Sequence, residues 1–185
     1  MNQKNKKGFT LVEMLVALAI FGLLAGAFTG FMMSAIQAQR RILTTQQLFN
    51  NASYVLEYMS RTIRMAKKDV DGKCTGIEGR NYSTDGSSLT FLHYQQQECQ
   101  KFFLENGVLK EQRTNLTDNS TSTNNLTPDN FKVTEFTVTV SGDETNSQPK
   151  VTLKLTIQGK EEKPELQPKL TLQTSISQRD LNISQ

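Results

Sequence analysis

The feature that most constrains this chain is a run of 23 residues without a charged side chain, from Met14 to Ile36. At about 1.5 Å per residue, a helix of that length crosses a bilayer core of roughly 30 Å. Basic residues before such a run favour a cytoplasmic amino terminus. The sequence therefore predicts a membrane-spanning helix near the start of the chain. The basic residues that precede it are Lys4, Lys6 and Lys7.

The positive charge of the chain is concentrated in its first eight residues. The net charge is +3, and without the three lysines there 18 basic and 18 acidic side chains remain. The charged side chains of residues 34–68 are basic except for Glu57, whereas residues 69–185 carry more acidic than basic side chains. The basic ones in 34–68 are Arg40, Arg41, Arg61, Arg64, Lys67 and Lys68. The pI of 8.8 is therefore weak support for a general nucleic-acid-binding protein.

One acidic residue, Glu13, precedes the apolar run directly. A carboxylate inside a bilayer costs at least about 2.5 kcal/mol, so it either pairs with a cation or extends to the interface. An ordinary secretory signal carries its cleavage site after its apolar region. Here the candidate cleavage point, Gly8-Phe9, comes before that region.

The stretch KKGFTLVEMLVALAIFGLLAG resembles the class III signal of type IV pilins and of the pseudopilins of type II secretion. The shared pattern is a short basic leader, Gly, Phe, four residues to Glu, and about twenty apolar residues, and the resemblance covers residues 1–33. It implies that a prepilin peptidase cuts after Gly8 and methylates the new amine of Phe9. Glu13, one helical turn away, then pairs with that amine or with the amine of a neighbouring subunit.

The resemblance also implies where the chain resides and what it contacts. We expect a single-pass protein of the cytoplasmic membrane, with a cytoplasmic leader and an extracytoplasmic head, that later joins a surface or periplasmic filament. The implied partners are the prepilin peptidase, other pilin or pseudopilin subunits, the inner-membrane assembly platform, and membrane lipid before assembly. No cofactor is implied.

Three glycines spaced by four, Gly22, Gly26 and Gly30, align on one face of the apolar helix. Such small-residue patterns allow close approach of two membrane helices. The alternative is the ordinary glycine content of a membrane helix. We therefore interpret this face as a candidate helix-packing surface.

A second apolar pattern, with spacings of three and four, follows the membrane segment and predicts an amphipathic helix. We expect one helix from about Phe9 to Lys67, ended at Asp71-Gly72. The stretch VLEYMSRTIRMAKKD also resembles minor pilins and J-type pseudopilins. The apolar positions are Leu48, Ala52, Val55, Leu56, Met59, Ile63 and Ala66.

Beyond the helix the apolar period changes to two, which predicts strands. Asn106-Gly107 predicts a hairpin, because both residues tolerate positive φ. A phase slip at Thr134–Glu135 predicts a β-bulge, and the polar stretch 114–130 predicts a mobile loop. The expected strands are 88–94, 101–105, 108–112, 131–140, 151–157 and 170–176, with a linker at 158–168.

The predicted fold class is α+β: a long amino-terminal helix, membrane-spanning in its first half, packed on an antiparallel sheet. This is also the fold that the pilin resemblance implies. The predicted domains are the leader (1–8), the transmembrane and assembly helix (9–36), the amphipathic stalk helix (37–68) and a β-rich head (69–185).

Two cysteines, Cys74 and Cys99, are 25 residues apart in the head. Their spacing matches no zinc motif, and the single histidine, His93, has no cysteine or histidine neighbour in sequence. A disulfide is expected if the head lies outside the cytoplasm; two separate buried thiols are the alternative.

The sequence indicates no catalytic site and no metal site, because it contains neither a phosphate loop nor a nucleophile motif. The leading hypothesis is a structural filament subunit, a minor pilin or a pseudopilin. The alternative is a membrane-anchored extracytoplasmic module that captures DNA, a surface or a secreted substrate. In that case Arg40, Arg41, Arg61 and Arg64 could contact phosphate.

Overall fold

The computed structural model describes residues 8–94, 98–143, 148–160 and 167–178. The chain divides into two compact units, Met1–Ile42 and Leu43–Gln185. The elements are α1 (Leu11–Arg64), β1 (Ala66–Lys67), β2 (Tyr82–Thr84), β3 (Ser88–His93), β4 (Glu98–Glu105), β5 (Val108–Asn115), β6 (Thr121–Asn125), β7 (Phe131–Ser141), β8 (Lys150–Gly159) and β9 (Lys169–Ser177). A long helix followed by antiparallel sheets confirms the predicted α+β class.

The first unit contains the apolar part of α1. Among the described residues, α1 is the one helix that is long and apolar enough to cross a bilayer. Its large apolar side chains from Leu11 to Ile36 are exposed, for example Leu23 at 76% and Phe21 at 69%. Within the part of the chain that the structure describes, these side chains are therefore not buried against other residues.

The second unit buries one face of α1 against its sheets. All seven apolar positions predicted for the amphipathic face are buried, and Met59 and Ile63 have no exposed surface. Six of them belong to the helix, whereas Ala66 lies in β1, immediately after it. Phe91, Phe102, Leu109, Leu153 and Leu155 complete this core from the strands.

The strands of the second unit form two antiparallel sheets. The six-stranded sheet has the order β1-β3-β4-β5-β6, with β2 also paired to β3. The three-stranded sheet has the order β7-β8-β9. The predicted apolar face of β8 is buried, since Val151, Leu153, Leu155 and Ile157 are each at most 1% exposed.

Two local predictions in the strand region are confirmed. Asn106 (φ 53°) and Gly107 (φ 77°) connect β4 to β5, and their left-handed backbone is the reason that this pair suits a hairpin. The register of β7 against β8 shifts between Val133 and Glu135, at the predicted bulge. The extra residue lets Val133 and Phe136 both face the core.

Two other predictions are wrong in detail. The helix ends at Arg64 rather than near Lys67, because Ala66 and Lys67 pair with β3 as β1. The stretch 114–130 is not one loop: β5 extends to Asn115, and Thr121–Asn125 forms β6 along the edge of β5. Of the predicted linker 158–168, positions 161–166 lie outside the described residues.

Candidate functional site

The predicted cleavage point lies immediately before α1. Gly8, Phe9 and Thr10 have no regular secondary structure, and the helix begins at Leu11. Among the described residues other than the chain neighbours of Gly8, none has an atom within 4 Å of the position that a Cβ on Gly8 would take, and Phe9 is 86% exposed. The peptide bond between Gly8 and Phe9 is therefore accessible and free of helical hydrogen bonds.

Thr10 and Glu13 cap the start of the helix reciprocally. The N–H and the hydroxyl of Thr10 each donate to Oε2 of Glu13 at 2.9 Å, and the N–H of Glu13 donates to Oγ1 of Thr10 at 3.3 Å. This is a capping box, which satisfies amides that the first helical turn leaves without a backbone partner. Thr10 is not among the residues predicted from sequence, although the Thr-x-x-Glu spacing ahead of an apolar run is the signal for it.

The hydroxyl groups within the apolar part of α1 are satisfied by the helix itself. Thr29 Oγ1 donates to the carbonyl of Ala25 at 2.8 Å, and Ser34 Oγ donates to the carbonyl of Gly30 at 3.2 Å. Neither hydroxyl needs an external partner, which lowers the cost of placing this segment in lipid.

The three glycines predicted as a packing surface lie on an open side of α1. A Cβ built on Gly22, Gly26 or Gly30 would meet no atom within 4 Å outside the local helix backbone. Their spacing of four places them on successive turns, so the backbone is uncovered along one stripe. The structure thus leaves room there for a second helix, and their role in packing stays a prediction.

In the second unit, Cys74 and Cys99 form a disulfide whose Cα atoms are 5.2 Å apart. The bond ties the segment after β1 to the first residues of β4. The same segment is ordered by Asp69, which is 2% exposed and accepts hydrogen bonds from the backbone N–H groups of Lys73, Cys74 and Thr75. The disulfide and the buried carboxylate of Asp69 therefore both restrain the segment that follows β1.

The single histidine lies on the buried face of β3. His93 is 8% exposed, and burial together with the charge of Arg113 lowers its pKa. Among the residues that the structure describes, no group of three His, Cys, Asp or Glu side chains could hold a metal ion. The placement of His93 agrees with a structural role.

The basic residues suggested as phosphate contacts do not form one site within a unit. Arg40 and Arg41 belong to the first unit, whereas Arg61 and Arg64 lie at the end of α1 in the second. Arg61 is ion-paired with Glu57, one turn earlier on the helix. A local ion pair of this kind supports a solvated helix surface rather than a preformed phosphate site.

Comparison with known proteins identifies the amino-terminal segment. The prokaryotic N-terminal methylation motif matches residues 3–29. The match includes the Gly8–Phe9 bond, the capping box and the first two glycines of the stripe. No curated protein and no solved structure matches the chain significantly.

Proposed function

Because the chain carries the class III signal that is the hallmark of type IV pilins and pseudopilins, we propose that it is a structural subunit of a filament. The filament is a type IV pilus or a type II secretion-like filament, and the subunit is a minor pilin or a pseudopilin rather than an enzyme. The observation that carries this proposal is the methylation motif, which coincides with an accessible Gly8–Phe9 bond at the start of an exposed apolar helix.

The proposed processing step is hydrolysis of the Gly8–Phe9 bond by a prepilin peptidase, followed by methylation of the Phe9 amine. Exposure of both residues supports access by the peptidase. Glycine on the amino side of the bond presents no side chain, so the backbone can approach closely. Removal of residues 1–8 also removes three lysines, which leaves a formally neutral chain before titration of the new terminus.

The proposed role of Glu13 is to register the subunit against its neighbours. Both hydrogen bonds from Thr10 reach Oε2 of Glu13. The other carboxylate oxygen, Oε1, could therefore accept a hydrogen bond from an amine. Cleavage creates a cationic amine at Phe9, four residues before Glu13. An amine from the same or a neighbouring chain would offset the cost of holding this carboxylate in an apolar surrounding.

The exposed apolar side chains of α1 must be shielded from water both before and after assembly. We infer that lipid surrounds them while the helix anchors the subunit in the cytoplasmic membrane. An inner-membrane assembly platform then transfers the subunit to the filament. In the filament the same side chains pack against other pilin or pseudopilin helices, and the stripe at Gly22, Gly26 and Gly30 allows close contact. The second unit then lies outside the cytoplasm, with the disulfide on the oxidising side.

Mass spectrometry of the membrane fraction tests the processing step. We expect a mature chain that begins at methylated Phe9 and lacks residues 1–8. A chain that retains Met1 in cells with an active prepilin peptidase would reject the proposed function.

Glu13→Val tests the register role separately. This variant should still be cleaved, since Glu13 is not at the scissile bond, but its amount in sheared filaments should fall at least tenfold. Glu57→Val is the matched control, because it removes an exposed carboxylate from the same helix outside the apolar segment. Normal incorporation of Glu13→Val would contradict the register role.

A second candidate function is a membrane-anchored binding module. It is favoured by one observation: the six-stranded sheet leaves one face uncovered by the helix, and that face carries lysines beside aromatic rings. This function is compatible with a place in a filament, because it uses the second unit and not the amino-terminal helix.

A further inference from the structure

The six-stranded sheet has a buried face and an outer face, and its pairing register assigns residues to each. Leu89, Phe91 and Phe102 alternate into the core and have no exposed surface. The residues between them point the other way. Lys67 pairs with Leu92, Thr90 with Lys101, and Ser88 with Phe103, so these side chains share the outer face.

The outer face is positively charged. Its strands carry Lys67, Lys101 and Lys110, and the described part of these strands places one carboxylate, Glu105, on the same side. Lys110 Nζ lies 2.6 Å from Oε2 of Glu105 and is neutralised by it. Within the described residues, Lys67 and Lys101 have no carboxylate oxygen within 4 Å of Nζ, so both are available to an anionic ligand.

Each of these two lysines lies beside an aromatic ring. Lys67 Nζ is 5.8 Å from the centre of the Tyr94 ring, and Lys101 Nζ is 5.7 Å from that of Phe103. Tyr94 is 53% exposed. Along the strands the order is Phe103, Lys101, Lys67 and Tyr94, with successive pairing rows about 7 Å apart. The two rings therefore flank the two lysines, and the pairing row of Lys67 also contains Leu92 and Cys99.

We propose that this outer face binds single-stranded DNA. The lysines would contact phosphates, and Phe103 and Tyr94 would stack on bases, which are exposed only when the strand is unpaired. A groove at the edge of the face lies beside Tyr94 and is lined by lysines and aspartates together; Lys73 is paired there with Asp71 at 3.0 Å, so Lys67 and Lys68 supply its cationic side. In duplex DNA the base faces are stacked on one another and cannot lie on Phe103 or Tyr94, which makes the single strand the better fit.

Fluorescence anisotropy of a labelled 20-nucleotide oligo-dT tests this proposal with the full chain in neutral detergent. Binding should be micromolar or tighter at 50 mM salt and should weaken as salt increases. Lys67→Gln combined with Lys101→Gln should weaken it at least tenfold and reduce the slope of log K against log salt by about 1.4, because each phosphate contact on a single strand contributes about 0.7. The matched control is Lys132→Gln with Lys169→Gln, which removes the same charge from the three-stranded sheet and should change affinity less than twofold.

Ring variants separate base stacking from simple charge attraction. Phe103→Leu and Tyr94→Leu should each weaken oligo-dT about fivefold or more, with little change in the salt slope. Equal binding of duplex DNA or heparin, unaffected by these two variants, would overturn the proposal in favour of a general polyanion surface. Loss of binding in Arg61→Gln with Arg64→Gln, but not in the face variants, would also overturn it. Neither result would bear on cleavage after Gly8, which is measured separately.

Discussion

The phenol oxygen of Tyr58 lies 2.7 Å from Oε1 of Glu111 and donates its hydrogen bond to it. Tyr58 belongs to α1 and Glu111 to β5, 53 residues later. Arg113 completes the contact: its Nη2 donates to the Tyr58 oxygen at 2.6 Å, and its Nε is 3.3 Å from the other carboxylate oxygen. The pKa of Tyr58 is raised, chiefly by burial and then by the carboxylate. A polar cluster centred on the buried carboxylate of Glu111 thus fixes how the helix sits on the sheet within the second unit.

Tyr58→Phe should lower the free energy of unfolding by about 1–3 kcal/mol. The reason is that Glu111, 2% exposed, loses a hydrogen-bond donor that water cannot replace. Urea unfolding of the full chain in detergent measures the effect. Tyr54→Phe is the matched control, since Tyr54 is 71% exposed on the same helix and should change stability by less than about 0.5 kcal/mol. Equal effects of the two variants would contradict this account.

Glu111→Leu should be more costly than Tyr58→Phe, at about 3–5 kcal/mol. Removal of the carboxylate leaves Arg113, whose side chain is 30% exposed, without its counter-ion, and leaves the Tyr58 hydroxyl and the buried Gln100 amide without their acceptor. Replacing both Glu111 and Arg113 by leucine should recover most of the lost stability, because neither charge then remains in the cluster. Double-mutant analysis of urea midpoints gives the coupling, and additive losses would show that the two residues do not act as a pair.

Reduction of the Cys74–Cys99 disulfide should destabilise the second unit by about 3 kcal/mol, since the closed loop of 25 residues regains its freedom in the unfolded chain. Thermal unfolding with and without reductant measures the difference. The variant with both cysteines replaced by serine should unfold like the reduced protein and be insensitive to reductant. A reductant effect that persists in this variant would point to another cause.

Acid should destabilise the second unit partly through His93. Burial and Arg113 lower the pKa of His93 in the folded state below the ordinary value of 6.5, while Glu98 and Glu111 act in the opposite direction. The unfolded chain therefore binds the proton first, and stability is lost as the pH falls below about 6.5 towards the folded pKa. His93→Gln should flatten the stability profile between pH 7 and 5.5. An unchanged slope would show that carboxylates alone account for it.

Thr10→Ala should weaken the first turn of α1 by about 1 kcal/mol, because it removes the hydroxyl of the capping box. Amide hydrogen exchange at residues 11–14 in micelles should accelerate roughly fivefold. Thr10→Ser keeps the hydroxyl and should exchange at nearly the original rate. Equal acceleration in the two variants would show that the methyl group, not the hydroxyl, is what matters.

The periodic parts of the fold could be predicted from sequence because burial imposes the period directly. The face through Leu48, Met59 and Ile63 and the slip at Thr134–Glu135 are local patterns, and both are found in the structure. The end of the helix was misplaced because it depends on β3 pairing with Ala66 and Lys67. The paired residues of β1 and β3 are about 26 positions apart in sequence, so no local pattern predicts that they pair.

Backbone pairing also explains why β6 was not predicted. The side chains of Thr121–Asn125 are all exposed, so no apolar alternation marks the strand. It forms because the edge of β5 offers unpaired N–H and carbonyl groups to any extended segment. The Tyr58–Glu111–Arg113 cluster was missed for a related reason: its members are joined only by tertiary structure. In the candidate site, both the motif and the Thr10–Glu13 capping box have a local sequence signal, the second in the Thr-x-x-Glu spacing.

The disulfide gives each molecule a chemical record of its own export. A bond between Cys74 and Cys99 forms and persists only in an oxidising compartment. Under the proposed topology, molecules with two free thiols are those whose second unit has not yet crossed the membrane. A thiol-reactive label that adds mass would then count untranslocated chains on a gel. The timing of translocation relative to loss of the leader could be followed in the same sample.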